Sequence, residues 1–235
     1  MKHFLIPILA VALCGLLLAA VLTLPDSETP AVPNAPQSSS DSTSAPAVEP
    51  LTFPYEPEQN RILLNSPFSY DGMNPDCDYA EGKNIAAITV KNHSGQHLVQ
   101  ADLTLVAAGG IEIPFRIEHL PTDRAITAFA LDNAPLPAEA EWIEVRISTQ
   151  YAQQHTLCGN GVDITEHGML IDVTNNTGAE LTNLKINCHN LLGEEYFGGK
   201  SYPYEINNLP DGETVTVEAL DCVLGIAEVA YTEGN

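Results

Sequence analysis

Four cysteines outside the apolar N-terminal segment have the clearest potential for covalent chemistry: Cys77, Cys158, Cys188 and Cys222. In an exported protein, four cysteines permit two disulfides in three alternative pairings. We expect Cys188 to pair with Cys222, and Cys77 to pair with Cys158, because the latter two occupy similar places in two repeated halves of the chain. For Cys188 the alternative is a buried apolar thiol, since its place in the strand pattern points inward.

The acidic segment Asn74–Glu81 places side-chain oxygens at alternating positions, as a calcium-binding loop does. An EF-hand would need glycine at the sixth position and glutamate at the twelfth, where Tyr79 and Ile85 stand. The segment therefore favours a solvated acidic loop, with an incidental divalent-ion site as the alternative.

Histidines and catalytic motifs give no further candidate. The seven histidines are His3, His93, His97, His119, His155, His167 and His189. His93 and His97 are four residues apart, but Gly95 between them indicates a turn, so we expect surface turn positions. The chain also lacks a nucleophile elbow, a phosphate loop and a dinucleotide fingerprint. We therefore predict no catalytic residue, no cofactor and no metal, and a protein that is not an enzyme.

Four aromatic residues cluster near predicted strands in the second half of the chain: Tyr196, Phe197, Tyr202 and Tyr204. They admit two interpretations. They are either core and edge packing, or an exposed contact patch for a partner.

The charge balance narrows the classes of partner. The chain carries 9 Lys plus Arg against 31 Asp plus Glu, a formal net charge of -22. Direct nucleic-acid binding needs clustered cations, so it is excluded. The 44% hydrophobic content excludes wholesale disorder. We expect a basic protein or another envelope component as partner.

The N terminus predicts export. Residues 4–24 carry no charge and are long enough as a helix to cross a bilayer, with Lys2 before them and acids after them. We interpret 1–24 as a single-pass anchor, with a cleaved signal peptide or a lipoprotein as alternatives. Residues 25–57 are rich in proline and serine and predict a disordered linker. Residues 25–235 would then be extracytoplasmic at the cell membrane.

The rest of the chain contains an internal repeat. Ile88–Gly95 recurs as Ile171–Gly178, at an offset of 83 residues. We define copy 1 as 58–150 and copy 2 as 151–235. Apolar residues alternate with polar ones in both copies, and turn residues separate the runs, so each copy predicts six or seven short strands. The expected fold is all-β, with two tandem small immunoglobulin-like β-sandwich domains.

Copy 2 resembles the FxLYD-type family of bacterial cell-surface sandwich domains. The resemblance rests on Asn175–Gly178, on His189–Gly193 at the end of a strand, and on Leu209–Thr214 before the next strand. His189-Asn190 stands where the family usually has Tyr-Asp. The resemblance implies an envelope-associated module without catalytic residues.

These features together predict a membrane-anchored, extracytoplasmic binding or structural protein of the cell envelope that is not catalytic. The alternative is an accessory or regulatory subunit of an exported enzyme or transporter. In that case the acidic surface of this chain would bind a basic surface of the enzyme or transporter.

Overall fold

A computed structural model describes residues 49–153, 155–224 and 226–234, which belong to one compact unit. The predicted anchor and most of the predicted linker lie outside these ranges. In the described part of the chain, no helix is both long and apolar enough to cross a membrane. The regular structure there consists of strands and two short 3-10 turns, which confirms the all-β class.

Within the described residues, copy 1 has seven strands and copy 2 has six, as the alternating pattern predicts. The strands of copy 1 are β1 (Ile62–Leu64), β2 (Phe68–Asn74), β3 (Ala80–Asn92), β4 (Leu98–Ala107), β5 (Ile111–Leu120), β6 (Ala125–Phe129) and β7 (Trp142–Tyr151). Those of copy 2 are β8 (Val162–His167), β9 (Leu170–Asn175), β10 (Leu181–Leu192), β11 (Glu195–Leu209), β12 (Thr214–Glu218) and β13 (Ala227–Glu233).

The two-residue period decides which side of each strand is buried. In β12, Val215 and Val217 are half-buried, whereas Thr214, Thr216 and Glu218 are exposed. Successive side chains of a strand point to opposite faces, so apolar residues at alternate positions all reach the core. β-Branched residues also fit the pleated backbone well, which favours a strand at this position.

Three sheets result. Within copy 1, β1, β3 and β6 lie side by side with β2 also paired to β3, and β5, β4 and β7 form a separate sheet. Within copy 2, β12, β9 and β8 form one sheet, and β11 and β13 flank β10. β6 pairs with β11 in parallel, through Ile126 opposite Tyr196 and Thr127 opposite Phe197. This pairing joins strands of both copies into one seven-stranded sheet.

The repeat is visible in atomic detail at the end of β3. The Asn92 side chain is fully buried, and its amide donates to the carbonyl oxygens of Gln96 at 2.8 Å and Leu120 at 2.9 Å. Its carbonyl oxygen accepts the Ser94 amide at 3.0 Å. These bonds turn the chain from β3 towards β4 and tie the turn to the end of β5.

The same bonds recur at the end of β9. The buried Asn175 amide donates to the carbonyl oxygens of Ala179 at 2.7 Å and Leu209 at 2.8 Å, and its oxygen accepts the Thr177 amide at 3.0 Å. The residues that appear as a sequence repeat therefore make one turn twice, because in both copies a buried asparagine satisfies otherwise unpaired backbone groups.

Each copy contributes its own hydrophobic cluster. The larger one is lined mainly by β1 and β3 to β7, and the second by strands β8 to β13. A third cluster of Ile85, Ala87, Phe129 and Phe197 lies where β6 meets β11. The two main clusters largely follow the copies, but Tyr196 and Ala230 of copy 2 belong to the larger one, and Tyr79 of copy 1 packs against the second. The independence of the two domains, with the boundary at residue 150, stays a prediction.

The packed region begins before the predicted end of the linker. Leu51, Phe53 and Tyr55 pack against the copy 1 cluster, and the Leu51 amide donates to the carbonyl oxygen of Trp142 at 2.7 Å. Three apolar side chains supply enough burial to hold a segment that is otherwise rich in proline.

Candidate binding surfaces

The contact between the copies is built by an insertion in β11. Cys188 of β10 pairs with Tyr202 of β11, and Asn190 pairs with Phe197. One residue, His189, separates the two pairs on β10, whereas four residues, 198–201, separate them on β11. The extra residues form a bulge in β11. Extra residues in one strand leave backbone groups unpaired and bend the strand, which allows it to contact a neighbouring element.

Asp76 of copy 1 accepts the free backbone groups of this bulge. Its carboxylate accepts the amides of Gly199 and Lys200 at 2.8 Å each, and also the amide of Phe129 at 3.1 Å. Burial raises the pKa of Asp76, and the three backbone hydrogen bonds oppose that shift. The carboxylate therefore links the 3-10 turn Pro75–Cys77 to both β6 and β11.

Glu118 on β5 makes the second link. Its carboxylate accepts the Ser201 amide at 3.0 Å and the Ser201 hydroxyl at 3.2 Å. Its backbone oxygen lies 2.8 Å from Nε2 of His189, and since a carbonyl oxygen only accepts, Nε2 carries the proton. His189 is fully buried, and burial is the main reason that its pKa is lowered to about 4.

The closest approach between the copies requires a glycine. A Cβ atom at Gly199 would lie 1.9 Å from the carbonyl oxygen of Arg116, which is backbone and unable to rotate away. Gly198-Gly199 appears in the sequence as a turn signal, but both residues lie inside β11. Their small size serves close packing here.

A charged cluster covers another part of this contact. Arg124 of copy 1 lies 2.5 Å from both carboxylate oxygens of Glu228 in copy 2, and its guanidinium group lies 4.8 Å from the ring centre of Tyr196. The Tyr196 hydroxyl donates to the same carboxylate at 3.0 Å. This pair is partly shielded from water, so it contributes more than a fully exposed ion pair.

The predicted aromatic contact patch belongs mostly to this internal contact. Tyr196, Phe197 and Tyr202 are buried. Tyr204 is half-buried, and its hydroxyl donates to Asp221 at 3.1 Å. Of the two interpretations of these aromatics, packing is the one that fits, because the β11 insertion turns the rings towards copy 1 and the copy 2 core.

The four cysteines are free thiols in the structure. Cys188 and Cys222 are fully buried in the copy 2 cluster, where burial raises the pKa of both thiols; Cys222 also raises the pKa of Cys188. Cys77 ends the 3-10 turn Pro75–Cys77, and Cys158 precedes β8; both are half-buried. Both disulfides stay predictions.

Two expectations from sequence need correction. The segment Asn74–Glu81 is only partly a solvated loop, since Asp76 is held between backbone amides while the side chain of Asp78 is 93% exposed. The expectation of surface turn histidines is wrong for His189. It also fails for His97 and His119, which are half-buried and stack with Tyr231 at 4.3 and 5.4 Å between ring centres. Among the described residues, no group of three potential ligands is arranged to hold a metal.

One end of copy 2 presents an unusual surface. Nine large apolar side chains of the described chain are exposed, and six of them lie on three loops of copy 2 or at the strand ends that border these loops. We call these six residues the apolar end; they are Met169, Leu170, Leu192, Leu220, Val223 and Ile226. The loops join β8 to β9, β10 to β11 and β12 to β13.

Backbone hydrogen bonds hold these three loops together. The Ala219 amide donates to the carbonyl oxygen of Met169 at 2.8 Å, and the Leu191 amide donates to that of Ile226 at 2.9 Å. The apolar end is therefore a connected surface. Nothing in the sequence signals this surface, because Leu220, Cys222, Leu224 and Ile226 keep the two-residue period that is typical of a half-buried strand.

Acidic residues surround the apolar end. Glu194, Glu195, Glu218 and Asp221 lie on or beside these loops and are exposed; we call them the acidic rim. The chain segments 166–170, 190–195 and 218–228 contain no Lys or Arg, and the cations Lys91 and Arg124 of copy 1 line a hollow together with Glu194 and Glu195. Apolar side chains within an acidic rim favour a partner that is both apolar and cationic.

Comparison of the chain with protein-family models found no match, and comparison with curated proteins found none at the significance required.

Proposed function

We propose that this protein is a membrane-anchored, extracytoplasmic binding protein of the cell envelope that is not catalytic. In this proposal, two tandem immunoglobulin-like sandwich domains are presented on a Pro/Ser-rich linker. Support comes from the uncharged segment 4–24, the composition of the linker, the all-β fold and the resemblance of copy 2 to FxLYD-type domains.

The observation that carries the proposal is the apolar end. Exposed apolar side chains scattered singly are ordinary, but six on three neighbouring loops and the strand ends beside them are a feature of interaction surfaces. The loops of a sandwich tolerate variation while the sheets hold their positions, so loop ends are frequent binding sites. Copy 2 has 13 acids against Lys185 and Lys200, a formal charge of -11, so the partner we propose is a basic protein.

A paired substitution tests this surface. The full chain carrying Leu192→Ser, Leu220→Ser and Ile226→Ser should lose a basic partner that the unchanged chain retains from envelope extracts. A control chain carrying Phe68→Ser and Ile111→Ser, two exposed apolar residues of copy 1, should retain it. Retention should weaken between about 0.01 and 0.15 M salt, as the Debye length shortens. Equal capture by all three chains would reject the apolar end as the binding surface.

Location has its own test. Protease added to intact cells should remove 58–235 from a protein that is otherwise membrane-bound. Full protection in cells without an outer barrier would reject the proposed orientation. Release of a soluble form cut near residue 24 would instead support a cleaved signal peptide.

The second candidate function is an accessory or regulatory subunit of an exported enzyme or transporter. The acidic rim of the apolar end favours it, because such a rim suits docking onto one defined basic surface. Capture of a basic enzyme or transporter subunit, whose activity changes when the triple Ser variant replaces the unchanged chain, would select this function over the first.

A further inference from the structure

The outer edge of β12 in copy 2 has the same place in the repeat as the edge of β6 that copy 1 uses to bind β11. Leu120-Pro121 before β6 aligns with Leu209-Pro210 before β12, an offset of 89 that places Thr127 on Thr216. β6 pairs with β3 on one side and β11 on the other, whereas β12 pairs with β9 alone among the described strands.

The backbone of β12 presents unpaired groups on that edge. The Asn175 amide donates to the carbonyl oxygen of Glu213 at 3.0 Å, and the Ala219 amide donates to that of Met169 at 2.8 Å. Backbone bonds alternate along an antiparallel strand, so the odd-numbered residues of β12 face β9. The N–H and C=O groups of Thr214 and Thr216 therefore point away from the sheet.

The equivalent groups in copy 1 are used. Thr127, which aligns with Thr216, lies opposite Phe197 of β11 in the parallel pairing. The cross-strand side-chain pair is retained as well, since Thr127 lies 3.3 Å from Thr89, and Thr216 donates to Asp172 at 2.6 Å. The edges of β6 and β12 thus have the same backbone arrangement, but a strand is paired with the edge of β6 and none with that of β12 among the described residues.

The sequence of β12 does nothing to block pairing. Natural edge strands are commonly protected by proline, lysine or a bulge. β12 reads Thr-Val-Thr-Val-Glu and pairs with β9 in uninterrupted register. By contrast, the edge strand β5 of copy 1 contains Pro114.

We propose that the open edge of β12 binds an extended, lysine- or arginine-bearing segment of another polypeptide, which adds to the β12–β9–β8 sheet as a parallel strand. Main-chain hydrogen bonds to Thr214 and Thr216 supply affinity in this mode of recognition. The acids beside the edge, Asp172, Glu213 and Glu218, select a basic segment. This inference goes beyond the proposed function and does not depend on the apolar end.

The test uses the full chain and a synthetic peptide based on the segment that occupies the β6 edge. The peptide has the sequence of residues 193–202 with Glu194→Lys and Glu195→Lys, and its binding is followed by fluorescence anisotropy. At about 0.01 M salt it should bind about tenfold more tightly than the peptide with both glutamates, and the difference should shrink at about 0.15 M. Equal affinity of the two peptides would overturn the basic partner.

Two further measurements separate strand addition from simple adhesion. In a parallel pair only alternate N–H groups of the added strand face the protein, so N-methylation of one alternate set in the peptide should abolish binding and N-methylation of the other should not. On the protein, Thr216→Pro should weaken binding about tenfold, whereas Thr216→Ala, which keeps the N–H group, should not.

The remaining outcomes are decisive as well. Equal effects of the two N-methylated sets would overturn the proposal, and this result does not depend on whether Thr216→Pro folds. Slower hydrogen exchange of the Thr216 amide with peptide bound would support it. Self-association without peptide that Thr216→Pro abolishes would instead identify a second copy of this chain as the occupant and overturn the basic partner. Loss of peptide binding in the triple Ser variant of the apolar end would assign the peptide to that surface.

Discussion

β5 and β11 are the same strand of the repeat, yet they have different roles. β5 covers ten residues and pairs with β4 throughout, whereas β11 covers fifteen residues and has a bulge at 198–201. The bulge contacts Asp76 and Glu118 of copy 1, and β5 has no counterpart of it. A repeat thus gives two similar folds, and a short insertion in one of them joins the two.

Substitution of Asp76 should destabilise the contact between the copies most strongly. Asp76→Ala leaves three backbone amides without their acceptor, and each unsatisfied buried donor costs about 1–3 kcal/mol, so we expect a loss of about 4 kcal/mol in the free energy of unfolding. Chemical denaturation measures it. Asp78→Asn is the control, since the Asp78 side chain is exposed, it lies 3.4 Å from Lys200, and asparagine tolerates its φ of +52°; a similar loss there would contradict the assigned role.

Closing the space at Gly199 should have the next largest effect. Gly199→Ala places a Cβ atom against the Arg116 carbonyl oxygen, so β11 must move away from β5, at about 3 kcal/mol. We expect faster hydrogen exchange at Ser201 and Lys200 together with a lower thermal midpoint.

The control for this substitution is Gly178→Asn. Gly178 has a φ of +84° and open space around its Cβ position, and asparagine tolerates that backbone conformation. Equal thermal midpoints for the Gly199 variant and the unchanged protein would show that the close approach is not required.

The two buried asparagines, Asn92 and Asn175, make the same turn in both copies, so their substitution should affect the copies equally. Asn92→Ala and Asn175→Ala each leave two carbonyl groups without this donor, one of them buried, so each should lower the free energy of unfolding by about 2 kcal/mol. Asn176→Ala, an exposed neighbour, should change it by less than about 0.5 kcal/mol. A large effect in one copy and none in the other would mean that the shared turn contributes unequally.

The smallest expected effect is acid sensitivity at the contact between the copies. Burial is the main reason that three histidines have a lowered pKa: His97 at about 3, His189 at about 4, and His119 below its usual value. Since the unfolded chain titrates near pH 6.5, it binds more protons than the folded chain below that pH. Stability is thus fully present above about pH 6.5 and is lost as the pH falls towards 4.

We expect a loss of about 1 kcal/mol per histidine between pH 7 and about pH 5.5, measured by denaturation at each pH. His97→Gln should reduce this slope, because it removes the buried imidazole whose pKa is lowered most. For His119, the nearby Glu233 and Glu118 oppose the effect of burial and Lys185 adds to it, so this residue should contribute least. If the loss of stability with falling pH were the same in the His97→Gln variant, burial of His97 would not be a cause of the acid sensitivity.

The sequence alone determined the strands and their buried faces. Alternation in segments such as Thr214–Glu218 fixes which side chains reach a core, since the strand period is two and depends on no distant residue. It also located the turns at Asn92 and Asn175, because the bonds that form them are local along the chain.

Only the tertiary structure decided what the strands join and which residues are shared between the copies. Asp76 lies in an acidic segment with no signal of burial, and the amides of Phe129 and Gly199 that donate to its carboxylate are more than 50 residues away in sequence. The roles of His189, Gly199 and the open edge of β12 likewise follow from the pairing of β6 with β11. Periodicity states which face of a strand is buried, but not which strand lies beside it, because neighbours across a sheet are set by long-range packing.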